Sequence, residues 1–194
     1  MIERNLMTQL LAWKNDSRRK PLILRGVRQC GKTCLLREFG KRYFSNVAYF
    51  NFERNEQLPL VFDKDMNPAR ILMELSLLNR SKIEPQTTLI IFDEIQASPK
   101  ALNSLKYFCE EKPEYALVAA GSLLGITLSA QVGFPVGKVN FLELYPCSFD
   151  EYLGAADPQL ADYAKSLNEA APLPEAVIPE YETHLRRYLV MGGM

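Results

Sequence analysis

Gly26-Val27-Arg28-Gln29-Cys30-Gly31-Lys32-Thr33 is the stretch of this chain that decides its fold. It matches in full the pattern G-x-x-x-x-G-K-[ST], which describes a loop that binds phosphate groups. The apolar run before it, residues 21–25, predicts a buried strand, and residues 33–39 after it predict a helix. Strand, glycine loop and helix therefore follow one another in the order that such a loop requires.

Each residue type in this loop has a physical reason. Gly26 and Gly31 let successive backbone N–H groups turn inward, so that they and the start of the next helix face phosphate oxygens. Lys32 adds a positive charge, and the Thr33 hydroxyl is a ligand for the Mg²⁺ that accompanies a bound nucleoside triphosphate. We expect the nucleotide to be bound by residues 26–34, namely Gly26, Val27, Arg28, Gln29, Cys30, Gly31, Lys32, Thr33 and Cys34.

A second apolar run, residues 88–92, ends in Asp93 and Glu94. Four large apolar residues in succession are typical of a parallel strand that is covered on both faces, and such strands present their carboxyl ends to the ligand. Asp93 is then the candidate Mg²⁺ ligand, and Glu94 is the candidate base that accepts the proton of an attacking water. The alternative is that the pair is only a solvated acidic strand end. A third apolar run, residues 115–121, leads to Ser122, which is a candidate γ-phosphate sensor or an ordinary turn residue.

The remaining strands predict the architecture. Residues 47–53 and 139–144 bring the number of strands to five. The alternation with helical segments indicates an α/β P-loop NTPase domain, a three-layer sandwich around a mostly parallel five-stranded sheet. In chain order, residues 47–53 separate the loop strand from the strand of Asp93. We therefore expect the catalytic strand to be inserted between the loop strand and the next strand.

These motifs together resemble a known group, the prokaryotic AAA+-like ATPases of largely unassigned function. The resemblance covers nearly the whole chain and rests on residues 26–33, 90–96, 120–125, 134–139 and 144–153. It implies that Lys32 and Thr33 lie at phosphate and Mg²⁺, that Asp93 binds Mg²⁺, that Glu94 is the catalytic base and that Ser122 is a sensor. It also implies that a nuclease-like domain follows in relatives.

Two features depart from the family pattern. Many relatives have glycine and then arginine before the last core strand, whereas this chain has Gly137 and Lys138. Lysine cannot make the bidentate phosphate contact of an arginine finger, so a finger here is not expected. The chain ends at Met194, where the family passes into its second domain, and we expect residues 1–154 to form the ATPase core and residues 155–194 a helical lid or linker truncated before that domain.

Composition restricts the function classes. The 194 residues are 47% hydrophobic and 24% charged, with 23 basic and 23 acidic side chains. A balanced charge gives no general attraction to nucleic acid or to a membrane surface, although it does not exclude nucleic acid. Four cysteines without paired spacing and the lack of a long apolar run predict a reduced, cytoplasmic protein. The single histidine, His184, cannot form a zinc site by itself, and we expect it at the surface.

The sequence therefore predicts a domain that binds ATP with Mg²⁺ and hydrolyses it slowly to drive a conformational switch. One alternative is a nucleotide-binding scaffold with negligible turnover, and a more distant one is a small-molecule kinase. The expected partners are ATP or ADP, a C-terminal domain or protein partner, and in one interpretation further copies of the chain.

Overall fold

The fold is built on one parallel sheet. A computed structural model describes residues 2–121, 137–167 and 173–193. The five strands are β1 (Leu22–Arg25), β2 (Asn46–Asn51), β3 (Thr88–Asp93), β4 (Ala116–Ala120) and β5 (Asn140–Glu143). Their order across the sheet is β2-β3-β4-β1-β5, and every neighbouring pair is parallel.

Helices connect the strands and cover the sheet. In the described ranges they are α1 (Leu6–Asn15), α2 (Lys32–Tyr43), the single turn α3 (Leu58–Val61), α4 (Pro68–Asn79), α5 (Pro99–Glu111), α6 (Phe149–Ala156), α7 (Pro158–Ser166) and α8 (Ile178–Met191). A short 3₁₀ turn, Ile95–Ala97, follows β3. The predicted strands are confirmed, with ends that differ by one or two residues. The helix predicted over residues 33–39 is also confirmed, and it extends to Tyr43.

The central strands β3 and β4 are buried along their whole length and mostly apolar, because helices cover both of their faces. Along β3, Ile90 and Phe92 pack on one side with α4 and α5, while Leu89 and Ile91 pack on the other with α1 and α2. All four side chains are fully buried. Phe92 is also the centre of an aromatic cluster whose other rings are Phe50, Phe52, Phe62 and Phe108. The predicted three-layer sandwich is therefore confirmed.

Helix starts follow the local capping signals. The Asn67 side chain accepts hydrogen bonds from two N–H groups of α4, and the Ser98 side chain accepts one from α5. Ser148 and Glu151 form a reciprocal capping box at the start of α6. These caps determine the residue at which each of the three helices begins.

Strand order places the candidate site. In the register of the sheet, Asp93 lies beside Asn51 on one side and Ala120 on the other, and Ala120 lies beside Leu24. The strand predicted to be catalytic, β3, lies between β2 and β1, as expected, and β4 lies between β3 and β1. The carboxyl ends of these strands therefore share one edge of the sheet, where the phosphate loop begins.

The third hydrophobic cluster belongs to α6, α7 and α8. Leu153, Leu160 and Ala161 are its buried members, with Phe149 and Tyr181 packed against them. The expectation that His184 lies at the surface is wrong, because only 6% of this residue is exposed on the face of α8 that is turned toward this cluster. The helical spacing of Tyr181, Leu185, Tyr188 and Leu189 predicts one apolar face for α8, but Leu189 is 70% exposed. Among the described residues, no helix is both long and apolar enough to cross a lipid bilayer.

We predict that Gly40→Ala destabilises the domain. Gly40 is where α2 approaches β2, and a Cβ there would lie 2.5 Å from Cγ2 of Val47 and 3.3 Å from Cδ2 of Leu89. Val47 is β-branched and stiff, so the overpacking costs about 1–3 kcal/mol, more than the roughly 1 kcal/mol that alanine gains over glycine in a helix. Urea unfolding should therefore show a lower free energy of unfolding. In a Val47→Ala background the same substitution should instead be stabilising, and equal effects in both backgrounds would contradict this explanation.

Candidate phosphate-binding site

The loop between β1 and α2 has the backbone that its glycines permit. Gly26 has φ of 154° and Gly31 has φ of 94°. At Gly26 space is also limiting, since a Cβ there would collide with the carbonyl oxygen of Leu144. Gln29 also has positive φ, at 65°, so the loop carries a strained non-glycine residue at its tip. Sequence alone predicted the glycines but not this strain.

Lys32 lies across the loop. Only 6% of the residue is exposed, and its Nζ donates hydrogen bonds to the carbonyl oxygens of Gly26 at 2.8 Å and Val27 at 2.7 Å. The Sγ atom of Cys30 is 3.9 Å away. The ammonium group thus holds the two ends of the loop together and places a full positive charge in it.

The carboxylate of Asp93 joins the second motif to the first. Its Oδ2 accepts a hydrogen bond of 2.9 Å from Thr33 Oγ1 and one of 2.6 Å from the Tyr49 hydroxyl, with Asn51 Nδ2 at 3.5 Å. Asp93 is 2% exposed. In the part of the chain that is described, no lysine or arginine pairs with this buried carboxylate.

Sequence reasoning missed Tyr49. Burial, and after it the hydrogen bond to Asp93, raises the pKa of the Tyr49 hydroxyl, so this group stays a proton donor to the carboxylate. The guanidinium group of Arg37 lies over the Tyr49 ring at 4.0 Å. The sequence did contain a sign of this contact. Tyr49 and Asn51 are polar residues two positions apart in a mostly apolar strand, so their side chains lie on the same face of β2 near its carboxyl end.

Glu94 leaves the strand in a left-handed conformation, with φ of 52°. Its Oε2 accepts a hydrogen bond of 2.6 Å from Gln96 Nε2 in the 3₁₀ turn. A non-glycine residue with positive φ is uncommon and stores strain, which is found most often at functional sites. The turn directs Glu94 toward the loop rather than along the strand.

The two motifs line one open cleft. Its volume is about 430 Å³, and its lining residues are Arg28, Gln29, Gly31, Lys32, Thr33, Glu53 and Glu94. The structure thus brings together the predicted base, the predicted Mg²⁺ ligand Thr33 and the loop lysine. Glu53 is an additional acidic residue that the sequence did not single out. Ser122, the predicted sensor, lies outside the described residues.

A smaller apolar pocket adjoins the cleft. It has a volume of about 230 Å³, and Gly31 lines both spaces. Met7 from α1 and Leu35 from α2 form its walls, and Cys34 also faces it. Cys34, predicted among the nucleotide-binding residues, therefore belongs to this neighbouring pocket rather than to the cleft.

Arg4 connects the loop to the chain on either side of it. Its guanidinium donates to the Cys30 carbonyl oxygen at 2.9 Å, to the Tyr145 carbonyl oxygen at 2.6 Å and to Glu151 Oε2 at 2.9 Å. The Arg4 and Glu151 side chains are 13% and 7% exposed. A planar guanidinium presents several donors in a fixed arrangement, which suits three acceptors from separate segments. No motif in the sequence indicates this role.

The sheet order and the glycine loop together define a P-loop NTPase fold. A family model described as an AAA domain matches residues 18–153, which is more than half of the chain. The chain therefore belongs to the AAA family. No curated protein matches this chain.

Two solved structures with TM-scores above 0.5 share this fold. A single-residue variant of RuvB from Thermotoga maritima is 19% identical, with a TM-score of 0.53, over 84% of this chain and 52% of that chain. The Drosophila ORC bound to DNA is 17% identical, with a TM-score of 0.52, over 81% of this chain and 47% of that chain. The Orc1 protein of Aeropyrum pernix in complex with DNA is 16% identical, with a TM-score of 0.48, over 94% and 53%. The chain spans about half the length of the solved structures it matches.

We predict that Arg4→Met destabilises the domain and loosens the loop. The substitution removes the guanidinium from the Glu151 carboxylate, which keeps only its backbone donors at Asn5 and Ser148, and takes this donor from two carbonyl oxygens. Breaking a largely buried pair costs about 2–4 kcal/mol. Chemical unfolding measures the loss. Arg42→Met is the matched control, because Arg42 pairs with Glu3 and Glu38 at the exposed surface and its removal should leave stability close to the parent. Equal effects of the two substitutions would contradict the role given to Arg4.

Proposed function

We propose that this domain binds ATP with Mg²⁺ and hydrolyses it slowly, and that the cycle drives a conformational switch. One observation carries the proposal: a single cleft is lined by the loop lysine, by Thr33 bonded to Asp93, and by Glu94. Membership of the AAA family supports the same activity. In this proposal the β- and γ-phosphates lie against the inward-facing N–H groups of the loop, and Lys32 turns from the loop carbonyls to the phosphates.

The residues fit a magnesium ion. Thr33 offers a hydroxyl and Asp93 a carboxylate, which are hard oxygen donors of the kind that Mg²⁺ takes. The Asp93 carboxylate is buried at the site, and a buried charge calls for a compensating one. When bound, the ion would offset phosphate charge and orient the phosphates. Tyr49 would hold the Asp93 carboxylate in place through its hydrogen bond to Oδ2.

Glu94 is proposed to take the proton from the attacking water. A carboxylate beside the γ-phosphate position is suited to this task, and the strained turn at Glu94 fixes its direction. Slow turnover is expected for two reasons. Gln96 occupies one of the Glu94 carboxylate oxygens with a hydrogen bond. Lys138, which stands where relatives have arginine, forms an exposed ion pair with Glu110 at 3.0 Å, and this pairing raises the pKa of the Lys138 ammonium.

The apolar pocket between α1 and α2 is the proposed place for the base of the nucleotide. It continues from the cleft through Gly31, and Met7 and Leu35 give it the flat apolar walls that a purine ring would contact. Residues 155–194 are proposed to act as a helical lid, since Arg4 joins Glu151, in the first turn of α6, to the loop. We also propose that the domain acts together with a second domain, a protein partner or further copies of the chain.

The structure bears differently on the two alternative functions, a nucleotide-binding scaffold and a small-molecule kinase. The hydrogen bond that holds Glu94 to Gln96 also favours a nucleotide-binding scaffold with negligible turnover. A small-molecule kinase is disfavoured, because β4 separates β3 from β1 in the sheet, whereas in such kinases the two strands are neighbours. Two of the similar structures contain DNA, but the balanced charge of this chain favours a protein partner over nucleic acid.

We predict that Glu94→Gln reduces steady-state phosphate release by about a hundredfold or more, because the amide cannot accept the proton, while ATP affinity is retained. Phosphate release and isothermal titration with Mg²⁺ and ATP measure the two effects. Glu53→Gln is the matched control, since Glu53 lines the same cleft and its loss of charge should leave turnover near that of the parent.

Binding separates the proposals. Lys32→Ala should lose nucleotide affinity in either case, and unchanged binding in this variant would overturn the assignment of the loop. If the parent binds ATP tightly but its phosphate release equals that of Glu94→Gln, the domain is a scaffold and not an ATPase.

We predict that Cys34→Trp separates the base from the phosphates. An indole at Cys34 would fill the apolar pocket and leave the cleft open, so ATP should bind about tenfold more weakly or worse while inorganic triphosphate binds as before. Isothermal titration of ATP and of inorganic triphosphate into the parent and the variant measures both affinities. A parallel loss for both ligands would place the base elsewhere.

A further inference from the structure

A cluster of possible metal ligands lies in the helical segment, away from the phosphate cleft. It consists of Asp157, Glu180 and His184, and the ligand atoms of these three residues all lie within 4.8 Å of one another. Asp157 is at the junction of α6 and α7, and the other two are on α8. None of the three lines the cleft or the apolar pocket beside it.

The local structure explains how the three side chains meet. Glu180 and His184 are four residues apart on α8, so they share one face of the helix, with His184 Nε2 3.7 Å from Glu180 Oε1. Asp157 is the N-cap of α7, and its Oδ1 accepts the Leu160 N–H at 3.0 Å. The cap fixes the aspartate side chain at the end of α7, facing α8.

The imidazole is the observation that points to a ligand. His184 is only 6% exposed, yet its Nδ1 is buried with no hydrogen-bond partner among the described residues. The 3.7 Å between Nε2 and Glu180 is beyond hydrogen-bond reach. An unpartnered buried polar atom is rare and costly. A buried imidazole with no side-chain hydrogen bond among the described residues, beside the carboxylates of Asp157 and Glu180, therefore has a ring nitrogen available to a bound group.

We propose that Asp157, Glu180 and His184 bind a divalent transition-metal ion of the zinc type. One imidazole nitrogen and two carboxylate oxygens form a ligand set that suits Zn²⁺, with water as a further ligand, better than the all-oxygen set that Mg²⁺ takes. Bonds of about 2.1 Å in a tetrahedral site require ligand atoms about 3.5 Å apart, so the side chains must close around the ion. Glu180, whose side chain is 67% exposed, is free to move.

Such an ion would fasten α8 to the α6–α7 junction. The other end of α8 is already attached, because the Tyr188 hydroxyl donates to the Cys147 carbonyl oxygen at 2.7 Å and Cys147 N donates to the Gly193 carbonyl oxygen at 2.6 Å. Metal binding would therefore fix α8 at both of its ends. This consequence does not depend on ATP hydrolysis.

The test is a titration with Zn²⁺ alone. Tag-free protein is treated with a chelator, dialysed and studied by isothermal titration calorimetry. We expect one site per chain, at least about tenfold weaker affinity in Glu180→Gln and His184→Asn, and a rise in melting temperature with Zn²⁺ that those variants lack. Glu182→Gln is the matched control, because Glu182 is on the same helix, is exposed and pairs with Arg186 instead.

Two outcomes would overturn the proposal. One is Zn²⁺ affinity in Glu180→Gln equal to that of the parent; because Glu180 is exposed, this variant decides the question even if His184→Asn does not fold. The other is a near-ultraviolet thiolate charge-transfer band in the Co²⁺-substituted protein, which would place the ion on cysteine. Visible d–d bands without a thiolate band, lost in Glu180→Gln and kept in Glu182→Gln, would support it.

Discussion

The open backbone of the phosphate loop is the constraint on which the rest of the site depends. A loop that turns its N–H groups toward a ligand cannot also pair them in a sheet or a helix, so groups elsewhere must hold it in shape. Here the loop carbonyls provide the attachment. Lys32 binds the oxygens of Gly26 and Val27, and Arg4 binds that of Cys30. The chain before β1 and the chain after β5 converge on the loop for this reason.

The acidic side of the cleft solves a different problem, a buried negative charge. Asp93 sits at the end of a strand whose side chains are all buried, so its carboxylate must find partners at the sheet edge. Thr33 reaches it from the start of α2 and Tyr49 from the neighbouring strand. The order of the strands supplies both partners, because β2 borders β3 directly and β1 leads into α2. The contacts of Asp93 thus follow directly from the order of the strands.

What the sequence predicted is what local chemistry determines. The phosphate loop and the apolar strands each depend on a few neighbouring residues, and the structure has both. The caps at Asn67, Ser98 and Ser148 are local in the same way. Arg4 could not be found in this way, because its partner Glu151 is 147 positions away. His184 was misplaced for a related reason: a helix with charged neighbours on both sides gives no sign of which face other helices will cover.

Tyr49 lies between these cases. The alternation of polar and apolar residues in β2 marks its face, but only the parallel register with β3 brings its hydroxyl to Asp93, and register over 44 positions is a property of the whole sheet. The place of a residue in the candidate site was therefore predictable when its neighbours in the sequence determine it, as in the phosphate loop. When the place depends on a contact between distant segments, as for Tyr49 and Arg4, only the folded structure shows it.

The strand order also affects how the chain acquires its shape during synthesis. β1 borders only β4 and β5, although it precedes both by about ninety residues or more of chain, whereas β2 and β3 border each other. A ribosome that has released the first hundred residues has therefore exposed an apolar strand with no neighbour to pair with. Parallel pairing over such separations closes slowly, and unpaired strand edges invite aggregation. The phosphate loop, though encoded early, is completed only after residues 116–143 have emerged, and until then its strand is the part of the nascent protein that most needs protection.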